Sequence, residues 1–119
     1  MRAPCDATLL RIFVGDDDVF DEKPLCDQIV LKARAMGLAG ATATRGLLAY
    51  GPASAEQKFL LRLSEDLPIV IEIVDTDENI EKFLPIVEDM IESGLVTTQK
   101  VSILRYGRRG GATNNQEAR

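Results

Sequence analysis

Ile69-Val70-Ile71-Glu72-Ile73-Val74-Asp75 is the stretch on which the reading of this chain turns. Apart from Glu72, residues 69–74 are apolar on both faces, as in a central strand covered by its own domain on one side and by another subunit on the other. A sheet with one wet face would alternate more cleanly. Upstream, Gly40-Ala41-Thr42-Ala43-Thr44-Arg45-Gly46 lies within a second strand predicted over 39–50, small residues alternating with threonines. Small side chains there suit the close approach of a neighbouring chain or ligand, and equally a helix lying above. Gly46 inside the pattern marks a bulge or a close backbone approach. Between the two strands, residues 51–58 are polar and turn-forming and bury too little to order firmly, so this loop is the expected seat of function. Residues 59–63 are predicted to return as a strand, and Ser64, Glu65 and Asp66 form a polar turn before Leu67 and Pro68.

Outward from this centre the pattern alternates between the two periods of regular structure. Residues 1–7 read as a loose lead-in, and residues 8–14 as a strand with Leu10, Ile12 and Val14 on one face. Gly15 and three aspartates end it in an acidic turn running to Lys23. Pro24 is placed to open a helix whose stripe is Leu25, Ile29, Ala33 and Met36, widened by Val30, with Gly37 as its left-handed stop. Asp75, Thr76 and Asp77 offer caps for a second helix with the stripe Ile80, Phe83, Leu84, Val87 and Ile91. Pro85 interrupts it and Gly94 closes it. Residues 95–106 form a last strand, and 107–119, without large apolar residues, are expected to be disordered. The order strand, helix, strand, strand, helix, strand predicts an α+β, ferredoxin-like βαββαβ domain over 8–106, an antiparallel sheet with two helices on one face.

Composition excludes several chemistries. The chain of 119 residues has no histidine and two isolated cysteines, Cys5 and Cys26, so a zinc site or a Cys-His nucleophile lacks raw material. No paired acid and base, nucleophile or metal set points to an enzyme. Asp16, Asp17 and Asp18 lack the alternating oxygen ligands, glycine and terminal glutamate of a calcium loop and read as a solvated turn. A net charge of −5 argues against a general nucleic-acid binder. No apolar run approaches a membrane span or a signal core, so the expected protein is soluble and cytoplasmic.

The residues carry a more specific likeness. Leu10-Arg11-Ile12-Phe13-Val14-Gly15, Lys23-Pro24-Leu25, Gly40-Ala41-Thr42 with Arg45-Gly46, and above all Leu63-Ser64-Glu65-Asp66-Leu67-Pro68 running into Ile69-Val70-Ile71-Glu72-Ile73-Val74-Asp75 closely resemble the DUF190, or UPF0166, family. That family is similar to the PII signal proteins. The resemblance implies a homotrimer with effector clefts between subunits, no required cofactor, and an adenine nucleotide (ATP, ADP or AMP) as effector. It also implies a flexible T-loop over 51–60 that a membrane transporter, channel or enzyme reads.

Carried onto this chain, the resemblance points to Thr42, Thr44, Arg45 and Gly46 at the base of the loop, to Arg62 and Ser64 where the chain re-enters the sheet, and to Arg105, with Arg108 and Arg109, at the end of the last strand. Guanidinium groups, hydroxyls and a glycine N–H suit a phosphate. Gly51, Pro52, Ser54, Glu56, Gln57 and Lys58 are the implied partner-binding residues. The chain departs from the pattern in three places: residues 94–100 hold only Lys100 where PII proteins carry a basic phosphate-gripping loop, Tyr50 precedes the loop rather than standing in it, and no histidine occurs at 55–57. Two rival readings remain, a nucleotide-hydrolysing enzyme and a structural trimer that binds only a protein.

Overall fold

Alternation in two central strands builds the core. The computed structural model describes residues 2–47 and 67–107. Within them the order is β1 (Cys5–Gly15), β2 (Val19–Phe20), β3 (Lys23–Pro24), α1 (Leu25–Ala35), β4 (Thr42–Arg45), β5 (Pro68–Asp75), α2 (Asp77–Met90) and β6 (Leu95–Ile103). β1 and β5 pair antiparallel with Leu10 opposite Ile73, Ile12 opposite Ile71 and Val14 opposite Ile69, all buried on one face. Over that face lie Leu25, Ile29 and Ala33 of α1 and Ile80, Phe83, Val87 and Met90 of α2, in one continuous cluster. Fully burying one such large side chain contributes about 1.5–3 kcal/mol, so this cluster dominates the favourable side of folding.

The main sheet runs β4-β5-β1-β6, antiparallel throughout. With β2 and β3 set aside, this is the ferredoxin-like arrangement that the sequence predicts. Its other face carries no helix among the described residues. There Leu9, Arg11 and Phe13 of β1 and Val70, Glu72 and Val74 of β5 are half-buried, with Arg11 and Glu72 paired across the strands at 2.7 Å. The apolar character on both sides of β5 is therefore real, and among the described residues one side has only its neighbours for cover.

Several boundaries differ from expectation. β1 starts at Cys5 rather than Thr8, because Cys5, Asp6 and Ala7 pair with Ile103, Ser102 and Val101. β6 ends at Ile103, three residues earlier than expected. The acidic turn contains a small hairpin, β2 with β3, turning at Asp21 (φ 55°) and Glu22 (φ 64°). Pro24 pairs with Val19 in that hairpin and caps α1 with ψ 126°, so the helix begins one residue later. Gly37 at φ 77° follows the helix as the expected left-handed stop, and Met36, beyond the helix end, is exposed rather than buried. At α2, Thr76 accepts the Asn79 N–H through its hydroxyl at 3.3 Å, and Pro85 lies on the exposed side. Gly94 is not a left-handed stop for α2. It is glycine because a Cβ there would stand 2.7 Å from the Phe13 carbonyl oxygen. The predicted strand over 59–63 lies outside the described residues.

Candidate functional site

At the end of the sheet where β1 begins and β5 finishes, an open groove of about 720 Å³ is bounded by residues 39–42, by Glu72 and Val74 of β5, and by residues 102–106. Its geometry is set by the backbone of one residue, Ala39. The Ala39 N–H donates to Asp75 Oδ2 at 2.7 Å, and the Ala39 carbonyl accepts the Tyr106 hydroxyl at 3.0 Å. Asp75 is only 1% exposed, and its other oxygen accepts the Thr76 N–H at 2.6 Å and Asn79 Nδ2 at 2.9 Å. A buried carboxylate with three donors is a rigid post. It joins the end of β5 and the start of α2 to the wall of the groove, while Tyr106 brings the segment after β6 across to the same residue.

Glu72 faces the groove with its charge offset by Arg11. Thr42 opposes Glu72 in the β4–β5 register, and Ser102 and Arg105 stand on the far wall. A Cβ added at Gly40 would meet nothing within 4 Å, so the wall there is open.

The predicted binding residues divide between two places. Thr42 and Arg105 line the groove. Thr44, opposite Val70, lies farther along the open face. Arg45 and Gly46 lie at the other end of β4, about 10 Å from Thr42 at strand spacing. There Arg45 Nη1 is paired with Asp16 Oδ2 at 2.9 Å. The Gly46 N–H donates to the Pro68 carbonyl at 2.8 Å, in the close approach that the sequence suggests, since a Cβ would come within 2.9 Å of Pro68 Cγ. Arg62, Ser64, Arg108, Arg109 and the loop residues Gly51, Pro52, Ser54, Glu56, Gln57 and Lys58 lie outside the described residues. Sequence reasoning misses Asp75 and Tyr106 as site residues. Asp75 carries a cap signal, and Tyr106 reads only as the last residue of the strand predicted over 95–106, whereas β6 ends at Ile103.

Two ionisable side chains near these elements are displaced from their ordinary behaviour. Burial, and then the carboxylates of Asp27 and Asp16, push the Cys26 thiol up, which leaves it a poor nucleophile. Asp77 is held below the usual carboxylate range by its hydrogen bond from Lys100, and next by one from Thr8. Lys100, the lone basic residue expected in the connection before the last strand, instead stands within β6 opposite Thr8 and is committed to Asp77. No helix among the described residues is long and apolar enough to cross a membrane.

Comparison with known proteins places this architecture. The model of the DUF190 family, described as "Uncharacterized ACR, COG1993", matches residues 7–103. The chain belongs to the DUF190 family. Its relatives include a UPF0166 protein of Aquifex aeolicus, 36% identical over 97 residues that make up 81% of this chain and 91% of that one. A UPF0166 protein of Methanocaldococcus jannaschii is 33% identical, with 76% and 84% covered. Among solved structures, this DUF190 chain resembles a candidate PII-like signaling protein of Thermus thermophilus, with a TM-score of 0.60 at 14% identity, covering 83% of this chain and 90% of that one. It also resembles CPII of Thiomonas intermedia, solved with ADP and bicarbonate, with a TM-score of 0.55 at 19% identity and 85% and 91% covered. The fold is thus ferredoxin-like in the manner of the PII-like proteins.

Proposed function

We propose that this DUF190 protein is a PII-like signalling protein: a cytoplasmic homotrimer that takes a small anionic effector, an adenine nucleotide, between its subunits. The effector's presence is passed to a transporter, channel or enzyme through the loop over 51–60. The observation that carries the proposal is the position of the groove. It opens onto a sheet face that has half-buried apolar residues but no described helix over it, so one wall is left for a second subunit.

The groove's chemistry fits such an effector. Arg105 is exposed and has no carboxylate partner among the described residues, so its guanidinium is available to phosphate. The hydroxyl of Thr42 adds a donor, and the open wall at Gly40 and Ala41 admits a flat ring. Arg45 and Gly46, with Arg62 and Ser64 beyond the described residues, are proposed to serve the same ligand from the loop base of a neighbouring subunit. Assembly unites a set that one chain holds apart. CPII of Thiomonas intermedia, of the same fold, has been solved with ADP, AMP and bicarbonate, which supports the choice of ligand class. Ligand and loop are coupled if the nucleotide binds one loop conformation better than another.

The test is equilibrium titration of ADP into the wild type, Arg105→Ala and Arg45→Ala. Loss of a charged hydrogen bond to phosphate is expected to weaken binding about tenfold or more in each, with the subunit number unchanged. Unchanged affinity in both variants would remove this site.

A further inference from the structure

The end of the sheet opposite the groove gathers the base of the loop and a second projection. There the Asp16 N–H donates to the Leu67 carbonyl at 2.8 Å and the Gly46 N–H to the Pro68 carbonyl at 2.8 Å, while Asp16 also holds Arg45. The chain therefore leaves β4 and returns to β5 in direct contact with the residue that follows β1. From the same place rises the β2–β3 hairpin. Its root is fixed by Asp18, whose carboxylate accepts the Gly15 N–H at 2.9 Å and whose carbonyl accepts the Leu25 N–H at 2.8 Å. The hairpin displays apolar side chains in water: Val19 is 64% and Phe20 36% exposed, and Leu47 at the loop base is 88% exposed. Around them, residues 16–23 hold five carboxylates against Lys23 and, from the end of β4, Arg45 on Asp16, which leaves an excess of negative charge.

We infer that the β2–β3 hairpin and the loop base form one docking surface for a protein that carries lysine or arginine side chains around an apolar recess. The inference rests on the reading that a partner engages the loop over 51–60. Phe20 and Val19 supply the anchors, since apolar groups that become desolvated at the centre of an interface carry most of its affinity. The surrounding carboxylates set the sign of the partner, steering a basic face inward. They repel nucleic acid and anionic lipid, which leaves a basic protein surface as the occupant.

The test replaces Phe20 with photoreactive benzoylphenylalanine, and Leu47 likewise in a second variant, and irradiates each in the protein's native cells. Adducts are identified by mass spectrometry. A further variant carries Asp21→Asn and Glu22→Gly, which favour the same hairpin turn while removing two charges. The expected result is the same partner captured from both positions, linked through a lysine- or arginine-rich peptide, with the yield at position 20 falling about fivefold or more when the two charges are removed. An undiminished yield overturns the basic partner. Capture from position 47 alone overturns the inference and leaves the loop reading standing. Capture from position 20 alone overturns the shared surface and the loop reading with it, and capture from neither overturns both.

Discussion

Asp75 Oδ2 accepts the backbone N–H of Ala39 at 2.7 Å, across 36 residues of sequence. Because the carboxylate is buried and also bonded to Thr76 and Asn79, removing it strands three donors. Asp75→Ala is expected to destabilise the fold by about 3 kcal/mol, and Asp75→Asn, which retains an acceptor, by less. Urea unfolding midpoints measure both. The Asp75→Ala variant should also bind nucleotide more weakly, since the groove wall hangs from this bond.

Glycine positions separate close approach from open space. Gly94→Ala would push a methyl to 2.7 Å from the Phe13 carbonyl and 3.3 Å from Ile91 Cγ2, where the obstacle includes backbone of the central strand. A loss of about 2 kcal/mol or more is expected. Gly40→Ala meets nothing within 4 Å, so thermal unfolding of that variant should stay close to the wild type.

Stability should fall at acid pH in part through Asp77. Its folded-state pKa is lowered, first by the hydrogen bond from Lys100 and then by that from Thr8. Such a group binds its proton more readily in the unfolded chain. Its stabilising effect is therefore fully present above the ordinary value of 3.8 and is lost as pH falls from there through the lowered folded value. Asp77→Asn is expected to flatten the dependence of the urea midpoint on pH below about 4 and to leave its shape above pH 6 unchanged. A steep acid limb that survives the substitution would assign the effect to other carboxylates.

Tyr106 closes the groove from the other side, and its hydroxyl is the group that reaches the Ala39 carbonyl. Tyr106→Phe retains the ring and removes only this bond. The expected outcome is nucleotide binding several-fold weaker, roughly 1 kcal/mol, with little change in thermal midpoint because Tyr106 is exposed. Equal affinity for the two proteins would mean that the bond does not shape the site.

The parts of the fold that are legible in the sequence are those written in local periodicity. Leu25, Ile29 and Ala33, and Ile80, Phe83 and Val87, recur at helical spacing and are buried, while Ile69, Ile71 and Ile73 alternate and form the core face of β5. The β2–β3 hairpin escapes because each strand has two residues and its turn, Asp21-Glu22, lacks the glycine or asparagine that usually announces positive φ. Cys5 joins β1 through pairing with Ile103, at the far end of the described chain, and no local pattern encodes that. Gly94 reads as a helix stop, whereas its reason lies in Phe13 on another element. Thr42 and Arg105 enter the candidate site through family resemblance and do line one groove. The ion pair that holds Arg45, and the roles of Asp75 and Tyr106, are contacts between distant segments and become visible only in three dimensions.

Assembly and ligand binding are joined at the groove, and one measurement tests both: calorimetric titration of the purified protein with ATP, ADP and AMP, with its mass in solution fixed by light scattering. The expected result is a trimer that binds one of these nucleotides saturably at one per subunit. A monomer, or a trimer that takes up none of the three, would contradict it.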